Sequence, residues 1–390
     1  MTGPAPRPPR TAVVSGVGET EFSKASGRST TRLAFEAVSA AAADAGIDPA
    51  RIDGVVPYPM GPTAEDVISV FGLPDVAFTA VPHLGGASAI AGLRLAAMAV
   101  ESGQAEHVAV FVARNGRSGT RVDKRVVHLA GRHFREELEE VHGLSTPAQW
   151  YSLICRRHMH EFGTSRDALA EVALTMRANA QLNEAAQMHG RPMAREDYLS
   201  SRVIADPYLL LDCCLETDGA AAVIVSAAGA VTDRRDEAPP VSILAAAEGH
   251  PDSPDDLCGR ADLFDTGLTR AAPRAFRAAG LTPGDVDVAL IYDCFTFEVI
   301  QQLEEAGFCP RGEGGPFVLA GTIALTGALP VNPHGGLLSH AHTAGMSHVV
   351  EAVRQLRGAC GARQVDGARV AAVTGWGDLG DGALALLSAG

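Results

Sequence analysis

A segment near the start of the chain is repeated near its end, and this internal repeat is the strongest constraint on the fold. AGIDPARID (residues 45–53) matches AGLTPGDVD (residues 279–287), and the same offset of 234 residues carries Tyr58 onto Tyr292. Each copy ends a helical pattern with glycine, turns at proline and leads into an apolar strand. A repeat with this spacing indicates a duplicated domain rather than a solenoid.

Both copies alternate apolar strands with helical patterns, which is typical of α/β proteins whose sheets are covered by helices. We therefore predict an α/β fold with mixed, mainly parallel sheets. The proline-bearing stretch GAVTDRRDEAPP marks the junction, so we place the halves at 1–235 and 236–390. Residues from about 117 to 205 read as a charged, largely helical insertion, in the position where a substrate lid is expected.

Composition excludes several functional classes. Lys and Arg total 32 against 46 Asp and Glu, a net charge of -14, which argues against nucleic-acid binding. No apolar run reaches the roughly 20 residues of a membrane span, and the proline-rich start does not resemble a signal peptide. Seven scattered cysteines without a CxxC pair predict reduced thiols and a cytoplasmic location.

Three segments are expected to meet where strands end and helices begin, the usual ligand-binding region of open α/β sheets. In VPHLGGAS, Gly85 and Gly86 precede an alanine-rich helix whose first N–H groups are suited to holding an oxyanion. VALIYDCFTFEV ends a strand with Tyr292, Asp293 and Cys294.

The third segment is NPHGGLLSHAHTAGMSH, residues 332–348, which combines Gly335 and Gly336 with four histidines, His334, His340, His342 and His348. Zinc is the obvious ligand for an H-x-H spacing, but no cysteine or carboxylate accompanies these histidines within the segment. We therefore predict no metal site. His348 is expected to be structural, and His334 and His340 to be hydrogen-bonding residues of the loop or its rim.

Several motifs resemble the sterol-carrier and lipid-transfer branch of the thiolase superfamily. They are LLLDCCLETDGAAAVIV, YDCF, LPVNPHGGLLS and EAVRQLRG, and together with the repeat they extend the resemblance over most of the chain. The resemblance implies a duplicated thiolase fold with five layers, α/β/α/β/α, and a homodimer.

The chain departs from thiolases at the nucleophile. By the resemblance, the catalytic cysteine belongs at the start of the first long helix, where this sequence has Gly86. No cysteine precedes Cys155, and the C-terminal turn VTGWGDLGDGA lacks the second thiolase cysteine. An acyl-enzyme of the usual kind is therefore excluded.

The resemblance implies aldol or retro-aldol chemistry on a β-hydroxyacyl-CoA, with Tyr292 and His342 as the acid/base pair. His342 matches the loop histidine of thiolases, whereas the related aldolases usually carry tyrosine at both positions. His340, Asp293 and Cys294 are candidate supporting residues. We expect strand alternation to point Cys294 away from Tyr292 as a buried thiol.

Glycines 85, 86, 335 and 336 are expected to shape the site. Tyr58, the repeat equivalent of Tyr292, is given no catalytic role. The same resemblance implies that no cofactor is bound permanently, that a CoA thioester is the substrate, and that a separate OB-fold, zinc-ribbon protein completes a heterotetramer. Two alternatives remain open: an acyltransferase that uses His342 as general base, and a non-catalytic scaffold for the OB-fold partner.

Overall fold

The structure is a computed structural model that describes residues 10–121, 132–231, 239–252, 257–377 and 380–389. Its strands are β1 (Ala12–Glu19), β2 (Gly54–Pro57), β3 (Phe78–Thr79), β4 (His107–Asn115), β5 (Val203–Ala205), β6 (Tyr208–Leu209), β7 (Asp218–Ala227), β8 (Val241–Gly249), β9 (Val288–Leu290), β10 (Val370–Trp376) and β11 (Gly382–Ala389). Its α-helices are α1 (Thr30–Ala45), α2 (Ala64–Phe71), α3 (Ser88–Glu101), α4 (Arg132–Leu138), α5 (Pro147–Phe162), α6 (Arg166–Gln181), α7 (Arg195–Leu199), α8 (Gly267–Ala279), α9 (Thr296–Glu305), α10 (Gly314–Leu319) and α11 (Met346–Leu356).

Nine strands form one long sheet in the order β3-β2-β4-β7-β1-β8-β11-β10-β9. The centre of this order is the antiparallel contact of β1 with β8, where Val13 and Val14 pair with Ser242 and Val241. Outward from this contact, β7, β4 and β2 on one side correspond to β11, β10 and β9 on the other. The sheet therefore consists of two equivalent halves.

The repeated segment has the same structure in both halves. Helices α1 and α8 end at Gly46 and Gly280, which have left-handed φ values of 69° and 68°. Short 3-10 turns follow at Pro49–Arg51 and Pro283–Asp285, and β2 and β9 come next. Glycine is favoured at each helix end because other residues rarely adopt this φ. The predicted duplication is confirmed.

The expectation of mainly parallel pairing needs correction in the middle of the sheet. Three of its eight neighbouring pairs are parallel, β2 with β3, β2 with β4, and β9 with β10; the other five are antiparallel. Residues 377–381 between β10 and β11 are too few for a parallel crossover, so these strands form an antiparallel hairpin. The first half repeats this pairing in β4 and β7.

Four helices define three layers against the sheet. Helices α3 and α11 lie in the middle, because each packs against strands of both halves of the sheet. Helix α1 covers the outer face of the first half, and α8 covers that of the second. Three clusters of buried apolar residues, contributed by helices and strands, fill the space between these layers and the sheet. The two halves of the sheet are the two β layers, and with the three helix layers they give the predicted α/β/α/β/α order.

A long connection joins β4 to β7 and contains α4, α5, α6 and α7 with the small ribbon of β5 and β6. It contains the range predicted as an insertion, although residues 122–131 lie outside the described residues. The predicted boundary between residues 235 and 236 also lies outside them. Within the described ranges, no helix has both the length and the apolar character needed to cross a bilayer.

One carboxylate in each half ties the repeated turn to the next strand. Asp53 accepts the backbone N–H groups of Glu106 and His107 at 2.9 and 2.8 Å. Asp287, its repeat equivalent, accepts the N–H groups of Arg369 and Val370 at 2.8 and 2.9 Å. Each aspartate therefore holds two parallel strands in register.

Replacing either aspartate with alanine leaves two backbone N–H groups without their acceptor. We expect Asp53→Ala and Asp287→Ala each to lower the free energy of unfolding by roughly 1–3 kcal/mol, measured by urea denaturation. Asp366→Ala, at an exposed residue, is the control and should change it by less than about 0.5 kcal/mol. Equal stability of all three variants would contradict the assigned role.

Candidate active site

A cavity of about 360 Å³ lies where β2 and β9 end and α3 begins, beneath the long connection. Its polar and ionisable lining residues are Tyr58, Arg114, Arg121, Thr146, Tyr151, Cys213, Cys214, Glu216, Tyr292, Cys294 and His342. Its remaining lining residues are Met60, Gly86, Pro147, Ala148, Ile204, Leu210, Leu215, Phe295 and Trp376. Both halves of the sheet and the connection therefore contribute to one cavity.

Tyr292 follows β9, and its backbone is held from two sides. Its N–H donates to the hydroxyl of Thr374 at 3.0 Å, and its carbonyl accepts from the side-chain amide of Gln302 at 2.7 Å. Only 6% of the residue is exposed. Burial is the main cause that raises the pKa of Tyr292 well above its ordinary value.

His342 lies between Tyr292 and Arg114. Its Nε2 is 3.5 Å from the Tyr292 hydroxyl, and its Nδ1 is 3.2 Å from Nη1 of Arg114. A guanidinium can only donate, so Nδ1 accepts and the neutral ring carries its proton on Nε2. The Nε2–H group is therefore placed to donate to the Tyr292 hydroxyl oxygen. The backbone N–H of His342 donates to Thr217 at 2.9 Å, which fixes the loop.

Gly86 lines the cavity next to Tyr292. A Cβ at this position would overlap the backbone oxygen of Trp376 and lie 2.5 Å from the Tyr292 hydroxyl. The phenol therefore occupies the space into which a side chain at position 86 would project. Gly85 does not line the cavity; it begins the short turn before α3 with a φ of +51°.

Cys294 also lines the cavity, so the expectation that it points away from Tyr292 is wrong. Residues two positions apart lie on the same face of an extended segment, and it is the intervening Asp293 that points elsewhere. Burial raises the pKa of the Cys294 thiol well above its ordinary value. The thiol is therefore protonated and a poor nucleophile.

Asp293 is fully buried in the scaffold beneath the site. Its carboxylate accepts the N–H groups of Leu337 and Leu338 at 2.7 and 3.2 Å, and His348 Nε2 lies 3.1 Å away. A Cβ at Gly336 would overlap this carboxylate, and its φ is +63°. Asp293 thus joins the strand that leads to Tyr292 to the loop that carries His342.

The other predicted residues of the histidine loop do not line the cavity. Nδ1 of His340 accepts from the amide of Asn183 at 3.1 Å, and Gly335 packs against Ala180 with a φ of +106°. The His334 ring lies between His340 and His348, at 5.0 and 4.9 Å between ring centres. In the part of the chain that the structure describes, no group of three or more suitable side chains is arranged to hold a metal ion.

Arg114 and Tyr58 are two of the cavity residues that the sequence does not predict. Arg114 is the penultimate residue of β4, in the segment HVAVFVARNG, but nothing local to it indicates a partner at position 342. Tyr58, for which the sequence suggests no role, lines the same cavity, and the Arg114 guanidinium lies 5.8 Å from its ring centre. The offset of 234 residues, which pairs Tyr58 with Tyr292, is the sequence signal that could have indicated Tyr58, because the fold brings equivalent strand ends together.

The comparisons with known proteins agree with this geometry. Residues 252–388 match the family described as thiolase C-terminal domain-like. A solved structure described as the Ltp2-ChsH2(DUF35) aldolase superposes with a TM-score of 0.89, at 36% identity, over 98% of both chains. The fold and the sequence thus define a protein of the thiolase superfamily.

Two curated relatives narrow the class. The 17-hydroxy-3-oxo-4-pregnene-20-carboxyl-CoA lyase of Mycobacterium tuberculosis is 42% identical over 89% of this chain and 92% of its own. A steroid side-chain-cleaving aldolase of Thermomonospora curvata is 38% identical over 90% and 91%. The chain belongs to this family of thiolase-like aldolases, and it is a carbon–carbon lyase.

The packing at Gly86 generates a test. We expect Gly86→Ala to lower the free energy of unfolding by about 1–3 kcal/mol, because the added methyl group must displace Tyr292 or the backbone of residue 376. Gly229→Ala is the matched control, since a Cβ there meets no atom within 4 Å. Urea denaturation compares the two, and an undisturbed Gly86→Ala variant would contradict the assigned packing.

Proposed function

We propose that the chain cleaves a β-hydroxyacyl-CoA by a retro-aldol reaction into a ketone and a shorter acyl-CoA, without a covalent intermediate. The observation that carries this proposal is the Tyr292 phenol beside Gly86, in the place of a nucleophile and in contact with the His342–Arg114 pair. A phenol so placed transfers protons and forms no thioester. No permanently bound cofactor is needed for this reaction.

The relative from Mycobacterium tuberculosis suggests the substrate class. Its name describes a steroid thioester with a hydroxyl at C17 and the carboxyl group on C20. Retro-aldol cleavage of the C17–C20 bond in such a compound gives a C17 ketone and propanoyl-CoA. The apolar cavity wall of Tyr151, Ile204, Leu210 and Phe295 supports a bulky apolar ketone half.

Tyr292 is proposed as the base, in its phenolate form. The phenolate takes the proton of the β-hydroxyl group while the carbon–carbon bond breaks and the electron pair enters the thioester enolate. Nε2–H of His342 stabilises the phenolate by a hydrogen bond, and the positive charge of Arg114 stabilises it further. The geometry disfavours His342 itself as the general base, because its Nδ1 already accepts from Arg114 and its Nε2 carries the proton.

The two alternatives have less support. An acyltransferase that used His342 as base would need the imidazole nitrogen that faces the cavity to be unprotonated. A covalent transferase would need a reactive thiolate, whereas burial raises the pKa of Cys294. A scaffold without catalysis would have no need for a buried phenol, imidazole and guanidinium in mutual contact.

We propose a homodimer, by resemblance to the family. The similar Ltp2-ChsH2(DUF35) aldolase, whose name joins two components, supports a separate partner chain for this protein too. An OB-fold, zinc-ribbon protein that completes a heterotetramer is the expected form of that partner. A cytoplasmic location is proposed because the seven cysteines are thiols rather than disulfides.

Product analysis with the steroid C17-hydroxy thioester tests the function. The wild-type protein, alone and with a DUF35 partner, should release ketone and propanoyl-CoA, and intact-mass spectrometry should show no acyl adduct. Tyr292→Phe should lower kcat roughly 100- to 10,000-fold, because the proton acceptor is lost, with binding of propanoyl-CoA retained. An adduct lost in Cys294→Ala would indicate acyl transfer, and absence of products under all conditions would indicate a scaffold.

The pH dependence follows from the raised pKa of Tyr292. The active form has Tyr292 as the phenolate, so kcat/KM should rise as pH increases from 7 to 9. Arg114 lowers the pKa of Tyr292, so Arg114→Gln should move this rise to higher pH. Measured profiles of both proteins check the prediction. A rate that falls as pH increases from 7 to 9 would contradict a phenolate base.

A further inference from the structure

The cavity contains a second tyrosine for which the mechanism above has no task. Tyr58 follows β2 and Tyr292 follows β9, and these strands occupy equivalent places in the two halves of the sheet. Both residues line the same cavity, and they are only 8% and 6% exposed. The duplication therefore supplies one buried phenol from each half.

Arg114 connects the two phenols. Its guanidinium carbon lies 5.8 Å from the ring centre of Tyr58, and its Nη1 lies 3.2 Å from Nδ1 of His342. His342 reaches the Tyr292 hydroxyl with Nε2 at 3.5 Å. The tyrosines are thus the two ends of a continuous series of contacts with one positive charge between them.

The two hydroxyl groups also affect each other's ionisation. Burial raises the pKa of Tyr292 most, the neighbouring Cys294 and Tyr58 raise it further, and Arg114 lowers it. Two phenolates in one buried cavity repel each other, so the pair holds one phenolate far more readily than two. One ionised and one neutral member is the arrangement that separates a base from an acid.

Retro-aldol cleavage needs both roles. One group must take the β-hydroxyl proton, and another must return a proton to the α-carbon of the enolate. The other charged residues of the cavity, Arg121 and Glu216, are bonded to each other at 2.9 Å. Among the thiols that line the cavity, burial raises the pKa values of Cys213 and Cys294.

We propose that Tyr58 is a second catalytic residue, the acid that protonates the α-carbon of the thioester enolate. This inference rests on the proposed function. Tyr292 phenolate takes the β-hydroxyl proton as the carbon–carbon bond breaks; Tyr58 then gives its proton to the enolate and becomes the phenolate. Transfer of a proton from Tyr292 to Tyr58 restores the starting state, so protons and charge balance.

Exchange of the α-protons of propanoyl-CoA in D₂O isolates the step assigned to Tyr58. The wild-type protein should introduce deuterium at the α-carbon, detected by mass spectrometry. Tyr58→Phe should slow this exchange at least about 100-fold, whereas Tyr292→Phe should retain or accelerate it, because the like-charged neighbour of Tyr58 is removed. Cleavage of the β-hydroxy thioester should be lost in both variants.

Tyr198→Phe is the matched control, because the Tyr198 hydroxyl is buried against Asp212 and does not line the cavity. It should exchange and cleave at close to the wild-type rates. Exchange at the wild-type rate in Tyr58→Phe, or no exchange in the wild-type protein, would overturn the inference. Loss of exchange in Tyr292→Phe but not in Tyr58→Phe would reverse the two roles and overturn it as well.

The outcomes separate this inference from the proposed function. Exchange that depends on Tyr58, without cleavage of any β-hydroxyacyl-CoA, would leave the acid assignment intact and refute the function. Cleavage that survives in Tyr58→Phe would refute the inference alone.

A titration followed by ¹³Cζ-tyrosine NMR gives a readout without turnover, because the chain has only five tyrosines. In Tyr58→Phe, the Tyr292 signal should titrate at lower pH than in the wild-type protein, since a like-charged neighbour has been removed. Unchanged signals from the three other tyrosines would show that the variant is folded. An unmoved Tyr292 titration would contradict the coupling of the two phenols.

Discussion

The buried carboxylate of Asp293 is the interaction on which the site depends. It accepts two backbone N–H groups from the histidine loop and contacts His348, while it directly follows Tyr292 in sequence. An unpaired charge at this depth would be very costly, so the carboxylate requires these donors. One buried carboxylate thus sets the distance between the phenol and the imidazole, although it does not line the cavity.

The volume beside Gly86 suits a thiolase or a lyase, depending on which side chain occupies it. Here the phenol of Tyr292 takes the volume beside Gly86, and the His342–Arg114 pair approaches it from the other side. A thiolate in this volume would be suited to attack a carbonyl, whereas a phenol is suited to proton transfer. The chemistry available at this position therefore depends on the side chains that fill it, within a shared geometry of the strand ends.

Much of this could be predicted from sequence, because repeats and turn residues are local signals. The helix ends at Gly46 and Gly280 follow from such signals, and the family motifs anticipate the meeting of Tyr292 with His342. The antiparallel centre of the sheet could not be predicted in this way, since pairing is decided between segments far apart in sequence. The contact of Arg114 with His342 could not be predicted for the same reason, because the two residues lie 228 positions apart in sequence.

The long connection between β4 and β7 begins at Asn115 and ends at Asp218, which are paired across the two strands. Its ends therefore meet at one point on the rim of the sheet, just as the ends of the short β10–β11 turn do. Closing a longer loop between fixed ends adds little entropic cost. The part of the cavity wall that the connection supplies can thus change in length and sequence, while the strand ends that carry Tyr58, Arg114 and Tyr292 stay as they are.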